Sequence, residues 1–223
     1  MKTLIEWQAI DTVLLDMDGT LLDLNFDNQF WLHHLPRRYA QQHGISETQA
    51  RQHLIERFNA ERGTINWYCL DFWSNELELD IALIKDEVAH LIAIHPHVIN
   101  FLDALRSSHR RAVLVTNAHQ KSLALKLKHT ALDGHLDAVI CAHDLGLPKE
   151  ETAFWFRLQE WETFNPERTL LIDDNLDVLR SAQQGGIRHL LAMARPDSNK
   201  PLQATAEFMA VEHFSAIMPP ATS

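Results

Sequence analysis

The sequence predicts an α/β fold: a doubly wound parallel sheet with an inserted α-helical segment. Three observations carry this. Short apolar runs rich in Val, Leu and Ile recur, helical periods separate most of them, and one long stretch contains no strand pattern. The runs are TVLLD (12–16), AVLVT (112–116), DAVIC (137–141), TLLID (169–173) and RHLLAM (188–193). None alternates apolar with polar residues, as expected of strands covered on both faces.

Taken in order, the first strand ends in Asp16-Met17-Asp18-Gly19-Thr20, where glycine marks a change of backbone direction. Residues 24–95 follow, with many aromatics and several helical periods. They are neither Gly/Ser-rich nor low in complexity, so they read as a helical insert, not a linker. Within them NWYCLDFWSNELELD spaces Trp67, Leu70, Trp73 and Leu77 as one helical stripe. HPHV at 95–98 marks the return to the sheet. VINFLDALRSS (98–108) carries Ile99, Leu102 and Leu105 at helical spacing, and QKSLALKLKHT (120–130) and ETAFWFRLQEW (151–161) also read as helices. LDVLRSAQQ (176–184) stops at Gly185-Gly186. Strands alternating with helices imply a Rossmann-like core. It comprises residues 1–23 and 96–223, with 24–95 inserted.

Length and composition set the limits. At 223 residues, with 46% hydrophobic and 22% charged, the chain can bury a sizeable core. Its 30 acidic against 20 basic residues give a net charge of -10, a field that repels polyanions and argues against nucleic acid as partner. A small phosphorylated ligand needs only a local positive site. Cys69 and Cys141 form no CxxC or Cys/His zinc spacing, which favours two reduced thiols in a cytoplasmic protein. MKTLIEWQAID lacks the apolar stretch of a signal peptide, and no segment approaches the ~20 apolar residues of a membrane helix.

In open parallel sheets ligands bind beyond the carboxyl ends of the strands. There the sequence places Asp16 and Asp18 after the first strand, Thr116-Asn117 after the second and Asp173-Asp174 after the fourth. Lys149, in LGLPKEE, follows the third through a loop. Two like charges at ~4 Å repel by roughly 1 to 4 kcal/mol, depending on the local dielectric, and several such pairs accumulate here. A cation is required. All-oxygen ligation with an incomplete protein cage suits Mg²⁺, which keeps waters and shares substrate phosphate.

DMDGT, TN, PK and DD, in that order and at strand ends, resemble the four motifs of the haloacid dehalogenase-like hydrolase superfamily. The insert at 24–95 falls where that family places its helical C1-type cap. The flanking text WQAIDTVLLDMDGTLLDLNFDN, with NWYCLDFW, TNAH and HTALDGHLD, is similar to the branch of that superfamily that dephosphorylates GMP and IMP. The resemblance implies an Mg²⁺-dependent phosphomonoesterase acting on purine 5′-mononucleotides. Asp16 would be the nucleophile and form an aspartyl-phosphate. Asp18 would protonate the leaving oxygen and later take a proton from water. Asp16, the backbone carbonyl of Asp18 and Asp174 would ligate Mg²⁺, with Asp173 auxiliary. Thr116 and Lys149 would hold phosphoryl oxygens, aided by backbone N–H groups near Asn117. Many members carry Asp or Asn four residues after the metal-binding aspartate. Here that position is Val178, and the adjacent Asp177 points elsewhere on a helix, so it stays outside the metal shell.

Singly, each residue has a plainer reading. Asp-Gly forms turns, Thr116 is an ordinary strand residue, Lys149 a surface lysine, and Asp173-Asp174 can cap a helix. Together and in order they outweigh these readings. In the insert, Trp31, Tyr68 or Phe72 are open as purine-stacking residues, but an aromatic stripe usually faces a core. Arg62 and the PRRYA cluster (36–40) read as solvated. The competing functions are a phosphatase or phosphomutase acting on sugar phosphates, and a catalytically idle ligand-binding or regulatory protein.

Overall fold

The computed structural model describes residues 4–220; residues 1–3, which open the N-terminal stretch and the first core segment, and residues 221–223 lie outside the described residues. The apolar runs form β1 (Thr12–Leu15), β2 (Arg111–Thr116), β3 (Ala138–Cys141), β4 (Thr169–Asp173) and β5 (His189–Met193). A two-residue β6 (Ala210–Val211), too short to show as an apolar run, completes a parallel sheet of order β3-β2-β1-β4-β5-β6. β1 lies at the centre, with Leu15 opposite both Leu114 and Ile172.

Alternate residues of the strands enter different cores, and both are apolar; that is why the runs do not alternate. Val13 and Leu15 pack on one face against Phe101, Leu102 and Leu105. Leu14, Val113 and Val115 pack on the other, with Phe154, Trp155, Leu158 and Val178. Each such side chain contributes about 1.5–3 kcal/mol of burial.

Between β1 and β2 the chain forms α1 (Asn25–Gln29), a π-helical turn (Phe30–His34), α2 (Leu35–His43), α3 (Glu47–Glu61), α4 (Ile65–Tyr68), α5 (Leu70–Leu77) and α6 (Ile81–Asp86). A capping box opens α3, with Ser46 Oγ accepting from the Gln49 N–H and Gln49 Oε1 from the Ser46 N–H. These helices share a third core that includes Phe26, Phe30, Leu54, Leu70, Trp73 and Ile84. The single stripe read across 67–77 is corrected: Cys69 is extended and divides α4 from α5. Leu70, Trp73 and Leu77 do form the buried face of α5, while Trp67 belongs to α4 and is only part-buried.

The remaining helices are α7 (Val98–Ser107), α8 (Gln120–Thr130), α9 (Ala142–Leu145), α10 (Thr152–Trp161) and α11 (Leu176–Gln184). α9 occupies part of what the sequence shows as a plain loop before Lys149. At Gly185 an added Cβ would meet Trp155 Cβ at 2.5 Å, so glycine here permits the end of α11 to approach α10 closely. Cys69 and Cys141 are free. No helix among the described residues is long and apolar enough to cross a membrane.

Candidate active site

A cleft of about 710 Å³ opens at the carboxyl edge of the sheet and extends beneath the helices inserted between β1 and β2. Asp16 follows β1 directly, Thr116 and Asp173 are the last residues of β2 and β4, and Asp174 comes next. The central position of β1 between β2 and β4 thus brings residues separated by a hundred or more positions to one place.

Lys149 is the hub. Its side chain is buried, and Nζ donates to Asp16 Oδ1 at 2.6 Å, Asp173 Oδ2 at 2.8 Å and the Val115 carbonyl at 3.0 Å. Burial alone would lower the ammonium; the two carboxylates overcome it and hold Lys149 above its ordinary value. Burial pushes Asp16 up to about 6, with Lys149 opposing and Asp173 adding to the rise. Asp174 lies well above the usual carboxylate range because it is buried and faces Asp16 and Asp173.

Two acceptors are left over. Asp16 Oδ2 is buried without a hydrogen-bond partner, and the Asp174 carboxylate accepts from no donor among the described residues. Ligand atoms of Asp16, Asp173 and Asp174 lie within 4.8 Å of one another and can hold a metal ion. Hard oxygens, an orphaned buried oxygen and mutual repulsion fit a small divalent cation. Asp173 stands behind the other two, because Oδ2 accepts from Lys149 and Oδ1 from the Asn175 N–H at 2.9 Å. Gly19 makes room: its φ is +91°, and an added Cβ would sit 2.6 Å from Asp174 Oδ2.

The other predicted residues serve the loops as well as the cleft. Thr116 Oγ1 accepts from the Ala118 N–H at 3.0 Å. Both ends of the Asn117 side chain are engaged: Oδ1 accepts from the Lys149 N–H at 2.9 Å, and Nδ2 donates to Glu150 Oε2 at 2.9 Å. Asp177 is exposed and paired with Arg180.

Sequence reasoning missed two groups. Glu150 accepts from Asn117, from Asn175 Nδ2 at 3.0 Å and from the Tyr68 hydroxyl at 2.5 Å, so it ties α4 to two strand-end loops. Lys126, on α8, is buried and donates to Asp18 Oδ1. Its only sequence signal is its spacing, one helical turn from Leu123 on the buried side. Burial pushes Asp18 up to about 6, opposed by Lys126 and reinforced by Asp27 and Asp16. Of the aromatics, Trp31, Trp67 and Tyr68 line the cleft with Arg62, whereas Phe72 packs edge-on against Trp73.

A model of the haloacid dehalogenase-like hydrolase family matches residues 13–192, a span that contains every residue of this cluster. The chain belongs to that family. This haloacid dehalogenase-like hydrolase is 44% identical over 194 residues to the GMP/IMP nucleotidase YrfG of Escherichia coli strain K12, with 87% of each chain covered. Its fold is shared by a HAD phosphatase from Thermococcus onnurineus, at TM-score 0.75, 22% identity and coverage of 92% of this chain and 95% of that one. It is also shared by a putative beta-phosphoglucomutase from Thermotoga maritima, at TM-score 0.67, 19% identity and coverage of 94% and 97%.

Proposed function

We propose that this hydrolase is an Mg²⁺-dependent phosphomonoesterase acting on purine 5′-mononucleotides through Asp16. The observation that carries the reading is the division of labour within that one carboxylate, which clusters with Asp174: Oδ1 is fixed by Lys149, and Oδ2 is buried and unpaired. A pinned carboxylate with one free oxygen is arranged to attack phosphorus. The P–O bond to the nucleoside then breaks, and Asp18 gives its proton to the departing 5′-oxygen. Water attacks the aspartyl-phosphate, Asp18 takes that proton, and inorganic phosphate and Asp16 are released. Thr116 Oγ1 and backbone N–H groups near Asn117 would meet the phosphoryl oxygens. Asp16, Asp174 and the Asp18 carbonyl would hold Mg²⁺, which supplies neutralisation of charge on the transferring phosphoryl group.

Residues 24–95 act in this reading as a cap over the cleft, excluding water from the first step. The 44% identical relative named a GMP/IMP nucleotidase supports a purine nucleotide as the organic half of the substrate, and Trp31 and Trp67 line the cleft, aromatic side chains of the kind on which bases stack. Purified protein with Mg²⁺ should release phosphate from GMP and IMP in preference to sugar phosphates. Preference for a sugar phosphate would overturn the nucleotide assignment, and an isomerised sugar phosphate without free phosphate would replace hydrolysis by transfer within the substrate.

A second consequence concerns stability. Asp16 and Asp18 sit at about 6 against 3.8 for a free aspartate. Between these values the native cluster binds protons that the unfolded chain has released, so its contribution to stability falls as pH rises through the window. Mg²⁺ requires the ionised carboxylates, and its stabilisation grows over the same window. The upward shift of Tm by Mg²⁺ is expected to be larger at about pH 7.5 than at about pH 5; equal shifts in calorimetry would contradict this.

A further inference from the structure

We propose that Lys126 is a positioning residue for Asp18, anchored by Asp27 and Lys85 of the inserted helices so that the transferable proton is carried on Asp18 Oδ2. The proposal rests on the reading of Asp18 as the group that protonates the leaving oxygen. Asp18 lines the cleft, with its side chain 21% exposed; Lys126 stands behind it on α8 at 1%. Lys126 Nζ donates to Asp18 Oδ1 at 2.6 Å and to Asp27 Oδ2 at 2.7 Å. Asp27, on α1, offers its other oxygen to Lys85 Nζ of α6 at 2.6 Å. Lys85 in turn lies 5.2 Å from the ring centres of Phe26 and Phe30 and 5.6 Å from that of Trp31. Asp18, Lys126, Asp27 and Lys85 thus alternate in sign from the cleft into the helical insert, and their charges sum to zero when Asp18 is ionised.

Burying two ammonium groups and a carboxylate is costly unless each is paired, and here each is. Stability alone does not call for such a chain, since apolar side chains of similar volume would fill the same space. What it supplies is geometry. Asp18 sits on a loop, where its carboxyl group would otherwise turn about two torsions. With Oδ1 accepting from an ammonium, the proton of the acid form belongs on Oδ2, which accepts from no donor among the described residues. In this chain of contacts Asp27 holds the Lys126 ammonium opposite Asp18, and Lys85 holds the other oxygen of Asp27. The function of Lys126 is therefore exerted through Asp18, not by touching substrate.

A leaving-group comparison separates this from a structural role. An alkoxide such as the 5′-oxygen of inosine needs a proton to depart, whereas the aryloxide of p-nitrophenyl phosphate leaves without one. In the full-length Lys126→Met variant, kcat/KM, which reports transfer to Asp16 and not the later hydrolysis common to both substrates, is expected to fall about 10²-fold on IMP and by less than about threefold on p-nitrophenyl phosphate. Asp27→Asn, which keeps an oxygen for hydrogen bonding and leaves Lys126 on Asp18, provides a milder variant should Lys126→Met fail to fold. It should show the same selectivity, with a loss of roughly fivefold on IMP alone. Equal losses on both substrates, or no loss in the folded variants, would overturn the proposal. If Asp18→Asn shows the leaving-group dependence and the Lys126 and Asp27 variants do not, the positioning role fails while the role of Asp18 stands. If Asp18→Asn itself shows none, the underlying reading fails.

Discussion

Asp16→Asn is expected to abolish turnover, by at least about 10³-fold in kcat, while leaving the protein folded. The amide is close in shape to the carboxylate, and its Oδ1 still accepts from Lys149 Nζ, which in the native site lies 2.6 Å away. The atom that changes is the buried, unpaired Oδ2, replaced by an amide nitrogen that is not a nucleophile, and the neutral side chain is a poorer ligand for a hard cation than the carboxylate. Stability should hold or rise, because the substitution removes a buried carboxylate whose surroundings already push it up to about 6 and which repels Asp173 and Asp174. Circular dichroism and Tm measure the fold; released phosphate measures the loss. Phosphate release by Asp16→Asn at the native rate would remove the basis of the assignment. The same variant should also bind Mg²⁺ more weakly, seen as a smaller Mg²⁺-induced rise in Tm, since one of the three clustered carboxylates is lost.

What could be read from the amino acids divides along a physical line. β1 to β5 were legible because each is a short apolar run bounded by helical periods; β1 and β4 are buried throughout, β2 after its first residue, and β3 and β5 toward their carboxyl ends. The site was legible because parallel strands discharge their ends at one edge, so Asp16, Thr116, Lys149 and Asp173 need only follow their strands to meet. What escaped depends on packing between elements. β6 consists of two residues that pair with β5 late in the chain, and α9 is a single turn; neither is long enough to carry a period. Cys69 divides a stretch whose apolar spacing runs on unbroken through it. Lys126 lies on an amphipathic helix among Lys121, Lys128 and His129, and nothing local says that one of these lysines is buried. Its partners, Asp18 and Asp27, are 108 and 99 residues away. Glu150 adjoins Lys149 and reads as a solvated charge, yet it gathers three donors from α4, the end of β2 and the start of α11.

Lys149→Met is the substitution expected to damage fold and activity together. The native ammonium faces Asp16 and Asp173, and all three side chains are less than a tenth exposed. Removing one partner of a buried ion pair leaves uncompensated charge and costs about 3–5 kcal/mol, which for a chain of this length lowers Tm by roughly 10 °C at neutral pH. The pH dependence carries the proof of cause. Lys149 is held above its ordinary value, so the stability it contributes is fully present below about pH 10 and does not vary in the neutral range. The two aspartates it leaves behind do vary: both sit above the usual carboxylate range, first through burial. As pH falls from about 7 toward about 5 they take up protons more readily in the variant than in the native protein, and the Tm deficit should shrink. A deficit that is constant over that range would mean that the lysine acts by filling space and not by charge. Activity should drop about 10²-fold or more, because Oδ1 of Asp16 loses the contact that aims Oδ2, and because a cation beside the developing phosphoryl charge is gone. Mg²⁺ should recover part of the stability by replacing one positive charge among the carboxylates, but not the rate, since it does not restore the hydrogen bond that orients the nucleophile.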